Sequence, residues 1–208
     1  MTRLFVGGSV ASAIRTIGLE AYQKWGGLLT SPRDRALPDP TLKTPWAIDN
    51  FAFVGFNADA FRKTLYRMKN MTGCVFVVAP DVPMNAIETS RQFDQWRYEI
   101  ADLGYPVAYA AQDGMEHTEI PWSDFSALFI GGSTVWKMSS EVIRLIREAK
   151  DRGKYTHIGR VNSLRRLKYA ISLGVDSVDG SGYARWRSKL VSAMVELQSK
   201  QSGFWEVF

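Results

Sequence analysis

Three aspartates stand where short apolar runs give out. Asp49 closes WAID, Asp81 follows CVFVVAP and Asp179 ends VDSVD. Carboxylates so placed accept a proton, attack an electrophilic carbon, or take hydrogen bonds from a donor edge. Other polar groups end neighbouring runs: Gln112 and Asp113 after PVAYAA, Gly131 and Gly132 after ALFI, Arg160 and Asn162 after THIG. Guanine presents N1–H and an exocyclic amine side by side, and one carboxylate accepts both. A glutamine amide or a backbone N–H donates to O6. Three acids, one Gln and a Gly pair therefore suit a purine pocket with a nucleophile left over. The plain alternative is that these run ends are polar because they meet solvent.

Other chemistries are narrowed by composition. Cys74 is the single cysteine, so no internal disulfide forms, and with only His117 and His157 beside it no four-ligand Cys/His zinc site is available. Cys74 opens an apolar strand and reads as inert. His157 lies inside a strand and reads as a satisfied core histidine. The chemistry is expected to need no cofactor and no resident metal. Net charge is +5, with 26 Lys and Arg, a modest lean toward a polyanionic partner. No apolar run approaches the ~20 residues that span a bilayer. The first residues lack a signal-peptide layout. The expectation is a soluble, cytoplasmic protein that does not engage a membrane.

The elements that must position the acids alternate. Strands are expected at 3–8, 26–31, 46–49, 74–80, 106–112, 127–132, 155–160 and 175–180. Helical spacing predicts helices over 10–24, with Ile14, Ile17, Ala21 and Trp25 inward, and over 57–70, 88–104, 139–152 and 163–173. The four prolines of 31–45 make that stretch a loop. Helical signal is thin after the second and fifth strands. Eight strands with helices between them imply right-handed crossovers and a parallel sheet. The reading is one domain over 1–208, a compact (β/α)8 TIM barrel; a doubly wound open sheet is the alternative. In a barrel the strands' carboxyl ends carry the site, which puts the three aspartates at one mouth.

The segments TPWAIDNFAF, VVAPDVP, AYAAQDG, LFIGGS and THIGRVNSLRRLKYAISLGVDSVDG, in this order, resemble the tRNA-guanine transglycosylase superfamily. The likeness is greatest to its short phage and bacterial branch, the DpdA-type enzymes that place 7-deazaguanines in DNA. It covers roughly residues 26–186. The resemblance implies exchange of guanine for a 7-deazaguanine, such as 7-cyano-7-deazaguanine, through a covalent aspartyl-glycosyl intermediate. It implies Asp179 as nucleophile, Asp49 as the acid that handles protons, and Phe53 as the ring that stacks on the base. It further implies Asp81 as reader of the guanine edge, Gln112, Gly131 and Gly132 on the O6 side, and Ile158 over the other face. Two departures stand out. Phe51 replaces the usual Gly of the motif, and the structural zinc ligands of the tRNA enzymes are missing, which fits the DNA-directed branch. Base exchange on tRNA, or a non-catalytic nucleic-acid-binding subunit, are the alternatives; a homodimer or partner modification proteins fit either. SGFWEVF matches nothing in the pattern.

For the nucleic-acid backbone, Arg160 at the mouth and Asn162 are the expected contacts, with Lys137 and Arg185 beside Trp136 and Trp186. Asn162 or Ser163 also reads as a helix N-cap. Trp136 equally reads as packing, and Arg185-Trp186-Arg187 as a cap over the barrel. Arg165 and Arg166 read as a solvated helix face.

Overall fold

The computed structural model describes residues 1–35 and 37–201; the terminal SGFWEVF lies outside them. Eight parallel strands close into a barrel in sequence order. They are β1 (Arg3–Val6), β2 (Gly26–Thr30), β3 (Trp46–Ile48), β4 (Cys74–Val78), β5 (Val107–Ala111), β6 (Ala127–Ile130), β7 (Tyr155–Ile158) and β8 (Ser177–Asp179). Closure comes from β1 and β8, with Leu4 opposite Val178 and Phe5 opposite Asp179. The expected TIM barrel is what the chain forms, and the open sheet is excluded by that last pairing.

Helices α1 (Val10–Ile17), α2 (Leu19–Trp25), α3 (Ala58–Met68), α4 (Ala86–Asp102), α5 (Thr134–Lys137), α6 (Ser140–Asp151) and α7 (Leu164–Ser172) pack outside, followed by α8 (Ser181–Arg185) and α9 (Arg187–Gln201). Ser9, Asn57, Asn85, Ser133, Ser139 and Ser163 cap their helices with side-chain oxygens. The single helix expected over 10–24 is two. Gly18 takes φ +88 and ends α1, its N–H returning to Ile14 O at 2.8 Å. The break resets the phase, so Tyr22, rather than Ala21, is buried beside Trp25. After β2 and β5, where helical signal is thin, the described residues form only short 3-10 turns, at Pro40–Leu42, Met115–His117 and Trp122–Asp124. Sequence reading did not place α9. Its Leu190, Ala193, Met194 and Leu197 recur at steps of three and four and are buried, and the helix packs on α1, α2, α7 and α8.

Alternation along each strand makes two cores. Outward residues such as Leu4, Val6, Val77, Tyr109 and Leu128 pack under the helices. Inward residues fill the barrel: Phe5, Leu29, Phe76, Val78 and several alanines, with Phe129 and Tyr155 against them. So narrow an interior holds its rings only where neighbours are small. A Cβ on Gly159 would stand 2.7 Å from Phe129 Cζ, and one on Gly27 would collide with the Phe5 ring. Among the described residues no helix is long and apolar enough to cross a membrane.

Candidate active site at the carboxyl end of the barrel

The three aspartates sit at the carboxyl ends of β3, β4 and β8, and the electrostatics join them. Burial pushes the Asp49 carboxyl up to about 7, and the neighbouring charges of Asp179, Asp81 and Asp34 add to the effect. The Phe51 N–H, donating to Asp49 Oδ1 at 3.1 Å, opposes it. That leaves Asp49 titrating near neutrality, which suits a group that gives a proton and takes it back.

Asp179 is held from below and behind. His157 Nε2 lies 3.0 Å from Asp179 Oδ1, and the Arg160 N–H donates to the same oxygen at 3.1 Å. His157 Nδ1 lies 2.7 Å from Ser177 Oγ. A carboxylate oxygen is an acceptor, so Nε2 faces it as the donor, and Nδ1 pairs with the Ser177 hydroxyl. The imidazole is fully buried and stacks on Phe129, 13° from parallel at 4.9 Å, with Phe76 and Phe5 at its edges. Both bonds reach Oδ1, and among the described residues no hydrogen bond reaches Oδ2. His157 is a core histidine, as expected, but its contact with Asp179 is one that sequence reading missed. The spacing of His157 and Asp179 on adjacent strands was the available signal.

Asp81 is bound on both oxygens. Asn50 Nδ2 donates to Oδ1 at 2.7 Å and Gln112 Nε2 donates to Oδ2. Burial raises its pKa, while those two amides and the Arg160 charge pull it back. Asn50, itself buried, also reaches Ala79 O at 2.8 Å, so it stitches β3 to β4 beneath the site. Nothing in the sequence reading singled it out.

Several expected roles are not open to their residues. Gln112 is spent inside the protein: besides Asp81, its Oε1 accepts from Met84 N at 2.9 Å and from Gly132 N at 2.7 Å. The Gly131 N–H goes to Ala111 O at 2.9 Å. Gln112, Gly131 and Gly132 thus organise the loops around Asp81: both glycine N–H groups are taken, and one of the two Gln112 amide hydrogens goes to Asp81. The pair must be glycine for a steric reason: a Cβ on Gly131 would strike the Gln112 amide, and one on Gly132 would lie 2.6 Å from both Asp113 Oδ2 and the Trp136 ring. Ile158 is buried among the outward residues under the helices, because the inward place on β7 belongs to His157. It does not cover a base.

The basic residues also differ from expectation. Lys137 is only 3% exposed, with Nζ donating to Gly159 O at 2.8 Å. Burial, with Arg160 and Arg166 close by, brings its pKa down to about 7. It braces the β7 end and does not reach a nucleic-acid backbone. Asn162 Oδ1 accepts from Gly182 N at 2.9 Å and so secures the start of α8, a bond that leaves the Nδ2 donors out. Trp136 is buried, its indole N–H donating to Glu116 at 2.9 Å, which makes it a packing residue. Arg165 is solvated, but Arg166 folds back onto Arg160 O at 3.2 Å. Arg185 remains exposed.

Arg160 adopts φ +58, a left-handed geometry rare outside glycine and asparagine. That turn sends its N–H to Asp179 and its guanidinium across the mouth, to Gly132 O and onto the Phe53 ring at 4.0 Å. Arg160 therefore covers one face of Phe53, the ring that the resemblance assigns to a base. Phe51 takes φ +66, at the position where the resembling motif has Gly, and its ring lies under Arg33 at 4.8 Å. A cavity of about 790 Å³ opens at the opposite end of the barrel, between Arg3, Trp46, Tyr155 and Asp176. Among the described residues no group of three or more His, Cys, Asp or Glu side chains is placed to hold a metal ion.

No protein-family model and no curated protein matches the chain. Solved structures do. A mutant tryptophan synthase alpha-subunit of Pyrococcus furiosus aligns at TM-score 0.55 and 11% identity, over 97% of this chain and 98% of that one. A protein described as a fructose-1,6-biphosphate aldolase of Coccidioides immitis aligns at 0.59 and 12%, over 97% and 89%. The Amycolatopsis orientalis BexX/CysO complex supplies a chain at 0.52 and 14%, over 98% and 92%. At such identities the likeness extends to the (β/α)8 fold and no further.

Proposed function

We propose that the mouth of this barrel exchanges guanine in DNA for a 7-deazaguanine by two displacements at C1′. The reading draws on the resemblance above, and one observation supports it most. Asp49 titrates at about 7 beside Asp179, whose Oδ1 is anchored and whose Oδ2 is left over. A proton carrier poised near neutrality next to a fixed carboxylate is the pair that such chemistry needs.

In the first step Asp179 Oδ2 bonds to C1′, the C1′–N9 bond breaks, and the departing guanine takes the Asp49 proton. In the second, N9–H of the incoming deazaguanine returns a proton to Asp49, N9 bonds to C1′, and the aspartyl ester breaks. Two inversions preserve the anomeric configuration. Asp81, fixed by Asn50 and Gln112, accepts from the base's donor edge with its remaining lone pairs. Phe53 stacks on the base once Arg160 withdraws. A paired base does not reach such a pocket, so the target nucleotide is flipped out or single-stranded.

Labelled 7-deazaguanine incubated with guanine-containing DNA, followed by mass analysis of the nucleosides, tests the proposal. Wild type incorporates label and Asp179→Ala does not; equal label in both sinks the idea. A parallel arm with tRNA separates the two nucleic acids. A second reading, a non-catalytic nucleic-acid-binding subunit, draws on Arg160 lying over Phe53 and on Phe51 at φ +66. Binding without any glycosyl adduct on Asp179 would favour it.

A further inference from the structure

A cleft of about 640 Å³ lies beside the mouth, against the strand next to Asp179. Phe5 of β1 is registered opposite Asp179, and neighbouring strands run about 4.8 Å apart. Gly7 and Gly8 carry β1 two and three residues further and line this cleft. Gly8 takes φ +78, and a Cβ there would meet nothing within 4 Å, so its backbone faces open space. Ser9 then caps α1, whose opening N–H groups have no acceptor within the helix.

The charge around the cleft is one-sided. Arg15, Arg185 and Arg187 line it, and no acidic residue does. All three are exposed, and among the described residues none is in an ion pair or a hydrogen bond. Elsewhere the arginines of this chain commonly find partners, as Arg62 does with Glu99 and Arg152 with Glu148. Tyr183 lines the cleft at 3% exposure and also lines a second one with Asn162 and Lys189; its buried hydroxyl has no hydrogen-bond partner among the described residues.

We propose that this cleft is a phosphodiester-binding site that seats the backbone of single-stranded nucleic acid next to the nucleotide held over Asp179. The identity of the ligand rests on the function proposed above; the affinity for a polyphosphate chain does not. The site takes the place of Lys137, which the fold has committed elsewhere, and retains Arg185 from the sequence expectation.

Fluorescence anisotropy with a short fluorescein-labelled single-stranded oligodeoxynucleotide, titrated across a salt series, tests it. Each phosphate contact on a single strand contributes about 0.7 to the slope of log affinity against log salt. The triple variant Arg15→Gln, Arg185→Gln, Arg187→Gln should bind about tenfold or more weakly, with the slope reduced by about 2. The matching Arg→Lys triple should keep most of the affinity, because the charge stays. Arg147→Gln, on the exposed side of α6, should bind as wild type. The proposal is overturned if wild type does not bind, if the Gln triple binds as wild type, or if Arg147→Gln loses as much. It is also overturned if phosphatidylserine vesicles outcompete the oligonucleotide for wild type. Binding that depends on the three arginines, with no base exchange by wild type, would leave this site standing and remove the proposed reaction alone.

Discussion

His157 and Asp179 share a hydrogen bond, Nε2 to Oδ1 at 3.0 Å, that ties the candidate nucleophile to the aromatic packing inside the barrel. The imidazole is itself fastened to Ser177 and to the Phe129 ring, so the carboxylate inherits the rigidity of the core. A carboxylate held on one oxygen presents the other in a fixed direction, which lowers the ordering needed at the moment of attack. A hydrogen bond to a charged group is worth about 1.5–3 kcal/mol. His157→Ala should therefore lower kcat for base exchange by about 10- to 100-fold, with KM moved much less. His157→Gln, which restores an N–H donor, should recover part of it. Steady-state kinetics check this, and equal kcat in His157→Ala and wild type would refute the positioning role.

Asp49 gives the protein a pH dependence whose sign follows from its raised pKa of about 7, against 3.8 for the free side chain. The folded state holds a proton that the unfolded chain has lost, so stability is fullest at low pH. It declines as pH rises from about 4 through 7. Asp49→Asn removes that penalty. In urea titrations the variant should gain on wild type between pH 5 and pH 8 by a few kcal/mol at most, while losing base exchange. A constant difference between the two proteins across that range would contradict the burial of Asp49.

Gln112 holds three groups at once: Asp81, Met84 N and Gly132 N. Gln112→Ala takes a partner from all three and strands the Gly132 N–H in a buried place, at about 2–4 kcal/mol. For a chain of this size the melting temperature should fall by about 5–12 °C in calorimetry. The Asp81 carboxyl, already raised by burial, should rise further without the amide.

Phe51 holds a left-handed backbone under strain, offset by Arg33 on its ring. Phe51→Gly should change stability in urea by less than about 1 kcal/mol, since relief of strain and greater chain entropy oppose each other. Phe51→Val should cost about 1–2 kcal/mol, because a β-branched residue tolerates that φ least. If Phe51→Gly raises base exchange, the ring rather than the turn limits the site.

Much of the barrel was legible, and for identifiable reasons. CVFVV is apolar throughout because β4 is covered on both faces, and the loop at 31–45 follows from its prolines. The same continuous burial hid the facing of β7. In YTHI nothing local says whether His157 or Ile158 points inward, since both are buried. Gly18 falls inside the 10–24 span that helical spacing predicts, and its φ of +88 ends the first helix there.

The sequence by itself determined the alternation of elements and the placing of Asp49, Asp81 and Asp179 at strand ends, because strand and helix periods and loop punctuation are local properties. Only the tertiary structure decided what each acid touches. Closure of β8 onto β1 brings the Asp179 charge close enough to Asp49 to help raise its pKa, and the inward turn of β7 puts His157 beneath Asp179. Desolvation and hydrogen bonding depend on residues far apart in the chain, so no spacing along it could have shown that Gln112 and Lys137 are consumed by the fold while Arg15, Arg185 and Arg187 stay exposed along one cleft.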